Sequence, residues 1–130
     1  MIVCDTHTLI FDALAPERLG EGAAKSIEAA HQAGEMACAD ITLWEIGMLM
    51  EKGRLQINAS IEAFTTAMLT SRNITVLPIT PVIAALAASD RVPGGDPADR
   101  LIAATAIAGG ATLISKDPRL FGIPGLPVIW

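Results

Sequence analysis

Short uninterrupted apolar runs alternate along this chain with longer stretches in which apolar residues recur every three or four positions. Residues 1–4 read as a short buried strand ending on Asp5. Thr6-His7-Thr8 then opens a helix that turns Leu9, Ile10 and Leu14 inward. Pro16 and Gly20 punctuate, and Ala23, Ala24, Ile27 and Ala30 mark a second amphipathic helix that stops at Gly34. Residues 36–39 predict a second strand ending on Asp40. Thr42 begins a third helix with Leu43, Ile46, Leu49 and Met50 on its apolar face, closed by Gly53. A fourth helix, residues 59–72, carries Ile61, Phe64, Met68 and Leu69. Residues 75–79 form a third strand, and Thr80-Pro81 cap a helix running to about Asp90. The loop Arg91-Val92-Pro93-Gly94-Gly95 leads to a last helix that starts at Asp96 and ends at Gly109-Gly110. Residues 111–115 and 128–130 complete the set of strands.

Strands that are apolar throughout, separated by helices, indicate an α/β domain with a parallel sheet covered on both faces. In such sheets ligands bind outside the carboxyl ends of the strands. The following helices usually begin at that same edge, so their positive dipole ends face it. Sequence positions thereby become spatial expectations.

Composition narrows the picture. At 130 residues the chain is one domain, 1–130, without repeat, linker or low-complexity tract. Hydrophobic residues make up 52% and aromatic ones only 4%, which suits thin Ala-rich helices packed on a sheet better than an all-β sandwich. No apolar run reaches transmembrane length, and Met1-Ile2-Val3 enters a strand without the basic flank of a signal peptide. The expectation is a soluble, cytoplasmic protein with no membrane partner. Cys4 and Cys38 lie in strand-like segments and read as buried small hydrophobes, not as a disulfide or a metal pair. A net charge of −5 argues against a non-specific nucleic-acid binder, yet bound cations would invert the local sign at a site.

The candidate chemistry is carboxylate. Asp5 ends the first strand and Asp117 follows the fourth. Glu45 lies near the start of the third helix, and Asp99 in the first turn of the helix that begins Asp96-Pro97-Ala98-Asp99. All four are expected at one sheet edge, where crowded carboxylates repel unless a cation joins them. Oxygen-only ligands favour Mg²⁺, with Mn²⁺ as substitute, over zinc. Asp5 and Asp99 are then the main metal ligands, with Glu45 and Asp117 completing the shell or positioning water. Each acid has a structural alternative, least obviously Asp5, and Asp96 and Asp99 can both be read as N-terminal helix acids. Thr42-Leu43-Trp44-Glu45 fits a capping box, and Asp117 before Pro118 fits turn chemistry. Asp96 is assigned to the helix cap, leaving Asp99 for metal. An acid straight after a buried strand has no evident structural job, which singles out Asp5. Asp40 suits a turn. Thr6, His7 and Ser115 are candidates to orient carboxylates or water. Arg100, Lys116 and Arg119 are the basic residues nearest the acids, read either as phosphate contacts or as solvated surface charge. His31 reads as an exposed helix residue.

The chain resembles the PIN-domain ribonucleases, specifically the VapC-type toxins of toxin–antitoxin pairs. The resemblance covers the whole length. It rests on Ile2-Val3-Cys4-Asp5-Thr6-His7, Ile41-Thr42-Leu43-Trp44-Glu45-Ile46 and Val76-Leu77-Pro78-Ile79-Thr80, taken in that order. It continues through Asp96-Pro97-Ala98-Asp99-Arg100-Leu101-Ile102-Ala103-Ala104-Thr105-Ala106 and Ala111-Thr112-Leu113-Ile114-Ser115-Lys116-Asp117. It implies a PIN-like three-layer α/β/α sandwich with a central parallel sheet of four to five strands. It also implies a Mg²⁺-dependent endoribonuclease whose four acids fall at Asp5, Glu45, Asp99 and Asp117, cleaving RNA phosphodiesters with metal-activated water. Ser115 stands where the family often has Thr, which keeps the hydroxyl. Family members are dimers silenced by a small antitoxin that places a basic side chain among the acids. Two alternatives remain: a receiver-like phosphoacceptor domain and a catalytically silent PIN-like binding module. A receiver would need an acceptor Asp at the end of the third strand, where this chain has Leu77-Pro78-Ile79-Thr80.

Overall fold

A computed structural model describes residues 1–130. Five strands are present: β1 (Ile2–Cys4), β2 (Met36–Ala39), β3 (Thr75–Leu77), β4 (Thr112–Ile114) and β5 (Val128–Ile129). The six helices are α1 (Thr6–Leu14), α2 (Glu21–Ala33), α3 (Ile41–Glu51), α4 (Ile61–Arg72), α5 (Pro81–Ala88) and α6 (Pro97–Ala108). The strands form one parallel sheet in the order β3-β2-β1-β4-β5.

Because side chains alternate across a strand, an all-apolar strand must feed two cores. Ile2 and Cys4 of β1 join Leu9, Ile10, Ile27, Ile46 and Met68 from α1 to α4 on one face. Val3 joins Ala37, Ala39 and Leu113 against Ile102, Ala103 and Ala106 of α6 on the other. The result is the expected three-layer α/β/α sandwich. Ala103, Ala104 and Ala106 are completely buried, so α6 lies close to the sheet and still receives α5 on its outer side through Ile83 and Ala87. No helix is long and apolar enough to cross a membrane.

Side-chain caps start α1, α4, α5 and α6, supplied by Asp5, Ser60, Thr80 and Asp96. Gly34 ends α2 in the left-handed region at φ 71°, a conformation that glycine adopts without a Cβ penalty. Several expectations need correction. Leu14 and Ala24 are exposed, since each lies beyond the stripe that its helix presents to the core. β3 stops at Leu77, because Pro78 has no amide to continue the ladder. α5 ends at Ala88, and proline-led 3₁₀ turns form at Pro16–Arg18 and Pro118–Leu120. His31 is half-buried, with Nδ1 3.2 Å from the Arg72 carbonyl.

Cys4 and Cys38 are free and wholly buried, and burial pushes both thiols up, Cys38 to about 12. A thiol-specific reagent is expected to label neither cysteine in the folded chain and both in concentrated urea. Labelling of either under native conditions would contradict this packing.

Candidate active site

β1 has β2 on one side and β4 on the other, so the chain leaves the sheet centre in two directions. The crevice at the carboxyl ends of β1 and β4 is the topological switch point, where an open parallel sheet has room for a ligand. Asp5 leaves β1 there, and Ser115-Lys116-Asp117 leave β4. A cleft of about 350 Å³ at this point is lined by Asp5, His7, Asp99, Lys116, Asp117, Pro118 and Arg119.

Asp5 is the N-cap of α1: the Thr8 amide donates to its Oδ1 at 2.8 Å. The expectation that Asp5 lacks a structural job was therefore incomplete, since one oxygen starts a helix. Asp96 likewise caps α6, its Oδ1 accepting from the amides of Ala98 at 2.8 Å and Asp99 at 3.2 Å. Capping does not remove Asp96 from the acid cluster, however. Carboxylate oxygens of Glu45, Asp96 and Asp99 all lie within 4.8 Å of one another. Asp99 thus belongs to two groups, one with Glu45 and Asp96 and one with Asp5 and Asp117 across the cleft. The signal for Asp96 was available in sequence: a carboxylate has two oxygens, and a cap uses one.

Glu45 does not form the capping box. α3 begins at Ile41, which puts Thr42 inside the helix, and no side chain caps its N-terminus. Thr42 is buried instead, its hydroxyl 3.3 Å from that of Thr6. The Thr6 hydroxyl donates to Glu45 Oε1, so the carboxylate is held by α1 across 39 residues of sequence. Burial raises the Glu45 pKa above its ordinary value; the Thr6 hydrogen bond opposes this, and Asp99 and Asp96 add to it. Asp99 is also raised, first by burial and then by Asp96, with Arg119 opposing. Asp117 moves the other way, because the Arg119 side chain hydrogen-bonds to it.

Asp117 starts its 3₁₀ turn by accepting from the Arg119 amide at 3.0 Å, while the buried Ser115 hydroxyl accepts from the Asp117 amide at 3.1 Å. Arg119 folds back so that Nη2 lies 2.7 Å from Asp117 Oδ2 and 3.3 Å from Asp99 Oδ2. A guanidinium thus already bridges two of the acids. Arg100, by contrast, faces away from the cleft and binds the carbonyls of Ala87, Gly94 and Ser89. It is a brace and no phosphate contact. Asp40 ties β2 to the segment after β3 by accepting from the Ile79 amide at 3.1 Å.

The donor set suits a hard divalent cation: every candidate ligand is a carboxylate oxygen, and two are raised by burial and like charge. Thr6→Val, which keeps the shape and removes the donor, is expected to push Glu45 further up. The acid limb of the pH–activity profile should then move to higher pH, with a rate loss of about tenfold at neutral pH. An unmoved limb would mean that Glu45 does not titrate in the reaction.

A family model of the PIN domain matches residues 2–126. Over 122 residues the chain is 36% identical to Ribonuclease VapC22 of Mycobacterium tuberculosis, covering 92% of this chain and 88% of that protein. The chain belongs to the PIN-domain family, in its VapC-type group. Its fold is similar to that of VapBC2 from Rickettsia felis bound to a DNA fragment from their promoter, with a TM-score of 0.72 and 18% identity. That match covers 99% of this chain and 98% of the other. It is also similar to a toxin–antitoxin complex from Klebsiella pneumoniae, with a TM-score of 0.70 and 23% identity over 100% of this chain and 97% of that one.

Proposed function

We propose that this chain is a Mg²⁺-dependent endoribonuclease, the cytoplasmic toxin of a toxin–antitoxin pair. The observation that carries the reading is the placement of Asp99 between two acid groups at the switch point of the sheet, in a member of the PIN-domain family. The relative named as a ribonuclease supports the same substrate class. A receiver-like domain is set aside on topology, because such folds order their strands 2-1-3-4-5 and this sheet runs β3-β2-β1-β4-β5.

Asp5 and Asp99 would hold the cation, with Glu45 and Asp117 completing the set and Asp96 adjoining it. Mn²⁺ is expected to substitute. When bound, the ion supplies Lewis acidity toward a phosphoryl oxygen and lowers the pKa of water. The protein's part is preorganisation. Asp5 is fixed by its cap to Thr8, Asp99 by the first turn of α6, and Glu45 by Thr6. Glu45, fixed by Thr6 beside Asp99 and Asp96, is the group suited to position the attacking water. Arg119 is the guanidinium nearest to a phosphate entering the cleft.

Its bridge between Asp99 and Asp117 also supports the proposed regulator, a small antitoxin that inserts a basic side chain among these acids. A homodimer is the proposed assembly. Purified chain incubated with structured and single-stranded RNA is expected to cleave in Mg²⁺ and to stop in EDTA. Cleavage that persists in EDTA, or survives Asp5→Asn, overturns the metal reading. Tight binding of an antitoxin with no cleavage of any RNA pool would favour the silent binding module.

A further inference from the structure

We propose that Arg18 and Lys116, gathered over the ring of Phe11, form a phosphate-binding ledge that guides the backbone of single-stranded RNA into the acidic cleft. The proposal rests on the ribonuclease reading and extends it to how an acidic protein holds a polyanion.

Four of the nine Lys and Arg side chains are already engaged, and Lys52, Arg54 and Arg91 are exposed without an ion pair but stand over no aromatic ring. Lys25 pairs with Glu21, Arg72 with Asp12 and Glu28, and Arg119 with Asp99 and Asp117, while Arg100 is spent on carbonyls. Arg18 and Lys116 are both exposed, and neither has a carboxylate within salt-bridge distance. Both instead meet one aromatic ring. The Arg18 guanidinium carbon lies 4.2 Å from the Phe11 centroid, and Lys116 Nζ lies 5.0 Å from it. Lys116 also lines the cleft beside three carboxylates, yet its ammonium stays with the ring.

That ring is a rigid base. Phe11 is 6% exposed, and the Trp130 ring meets it edge-on at 6.3 Å. Trp130 in turn lies so close to Gly20 that a Cβ there would stand 2.6 Å from the Trp130 carbonyl carbon. A cation held over an aromatic face keeps its N–H donors directed outward and loses little freedom when an anion arrives. The two cations converge on Phe11 from separate segments, the turn Pro16–Arg18 and the exit of β4. Lys116 lines the cleft itself, and the Phe11 ring that it shares with Arg18 extends the cationic surface from the cleft onto α1. In a chain of net charge −5, two cations held on one ring beside the cleft offer a sugar–phosphate backbone a local pair of positive charges.

The test uses the full chain with Mg²⁺ and a fluorescein-labelled single-stranded RNA, reading steady-state KM and kcat. Anisotropy on the Asp5→Asn background gives binding as a function of salt. Arg18→Gln and Lys116→Gln are each expected to raise KM about fivefold, with a smaller change in kcat. Each should also make the plot of log affinity against log salt shallower by roughly 0.7, the value for one phosphate contact on a single strand. Arg18→Lys and Lys116→Arg should restore most of both. Phe11→Leu removes the aromatic face while staying apolar, at the cost of a small cavity, and should make a further Arg18→Gln nearly silent. Lys25→Gln, which removes a cation paired only with Glu21 and over no aromatic ring, is the control. Unchanged KM and salt slope in both Gln variants, with wild-type cleavage intact, overturns the ledge alone. A wild-type chain that neither binds nor cleaves any RNA overturns the ribonuclease reading and the ledge together.

Discussion

Asp99→Asn is expected to lower Mg²⁺-dependent RNA cleavage on the order of 10³-fold and, in EDTA, to raise the melting temperature. The first effect follows from the position of Asp99 in both acid groups, so that losing one charge weakens the whole donor set. A metal's Lewis acidity is worth several kcal/mol at the transition state, and each ~1.4 kcal/mol is tenfold in rate. The second effect has the opposite sign because the same residue is a liability without a cation. Burial and the neighbouring Asp96 raise the Asp99 pKa above its ordinary 3.8, and Glu45 is raised above 4.5 by burial. Both groups bind protons more tightly folded than unfolded. Their contribution to stability is therefore fully present below those ordinary values and is lost as pH rises through the folded ones.

Asp117, lowered by its hydrogen bonds to Arg119, contributes in the reverse direction: its share is lost as pH falls through its depressed value. The metal-free chain should accordingly lose stability as pH climbs from about 4.5, and the loss should be smaller in Asp99→Asn. Mg²⁺ at a hundred times its Kd should stabilise the wild type by about 2.7 kcal/mol and the variant far less. Thermal melts in EDTA and in Mg²⁺ across pH measure all three. A variant that melts lower in EDTA, or keeps cleavage within tenfold of wild type, would remove Asp99 from the role proposed for it.

The layered fold is legible in the sequence because its signal is local. Apolar runs such as Met36-Ala37-Cys38-Ala39, bounded by Gly34 and Asp40, read as strands buried on both faces, and residues such as Thr80 and Asp96 mark helix starts by chemistry that acts within three residues. The convergence of Asp5, Asp99 and Asp117 follows from topology once the sheet is taken as parallel. What each carboxylate binds is harder to read. Capping and metal ligation call for the same residue types at the same helix positions, so Asp5 looked free and Asp96 looked fully used, whereas both cap and both border the acids. The partner of Glu45 was out of reach for another reason. Thr42 offers a capping partner three residues away, while Thr6, the residue that binds it, lies 39 residues off. Arg18 joins Lys116 only through the ring of Phe11, a contact that no spacing along the chain announces.

Arg100 shows the same limit most sharply, and its removal should have the largest effect on stability. One residue after Asp99, it reads as a cation poised for phosphate; folded, it is a three-way brace. Nε donates to the Ala87 carbonyl at 2.7 Å, Nη2 to Ser89 at 2.7 Å and Nη1 to Gly94 at 2.8 Å. Two of those carbonyls lie at the end of α5, where a cation also meets the negative end of the helix dipole. The third lies in the loop that delivers the chain to Asp96. Arg100→Ala leaves these acceptors without their charged donor and is expected to cost about 3 kcal/mol, less than the sum of three bonds because the loop can hydrate. For a domain of this size that is a melting-temperature drop of roughly 10 °C. Arg100→Lys should recover less than half of it, since one ammonium cannot span three carbonyls in a fixed fork. Cleavage should fall as well, because the first turn of α6 carries Asp99, and the loss should be read mainly in kcat. A phosphate contact would give the opposite pattern: an unchanged melting temperature and a KM that rises more steeply with salt. The two patterns share no outcome, so one melt and one salt series decide which job this arginine does.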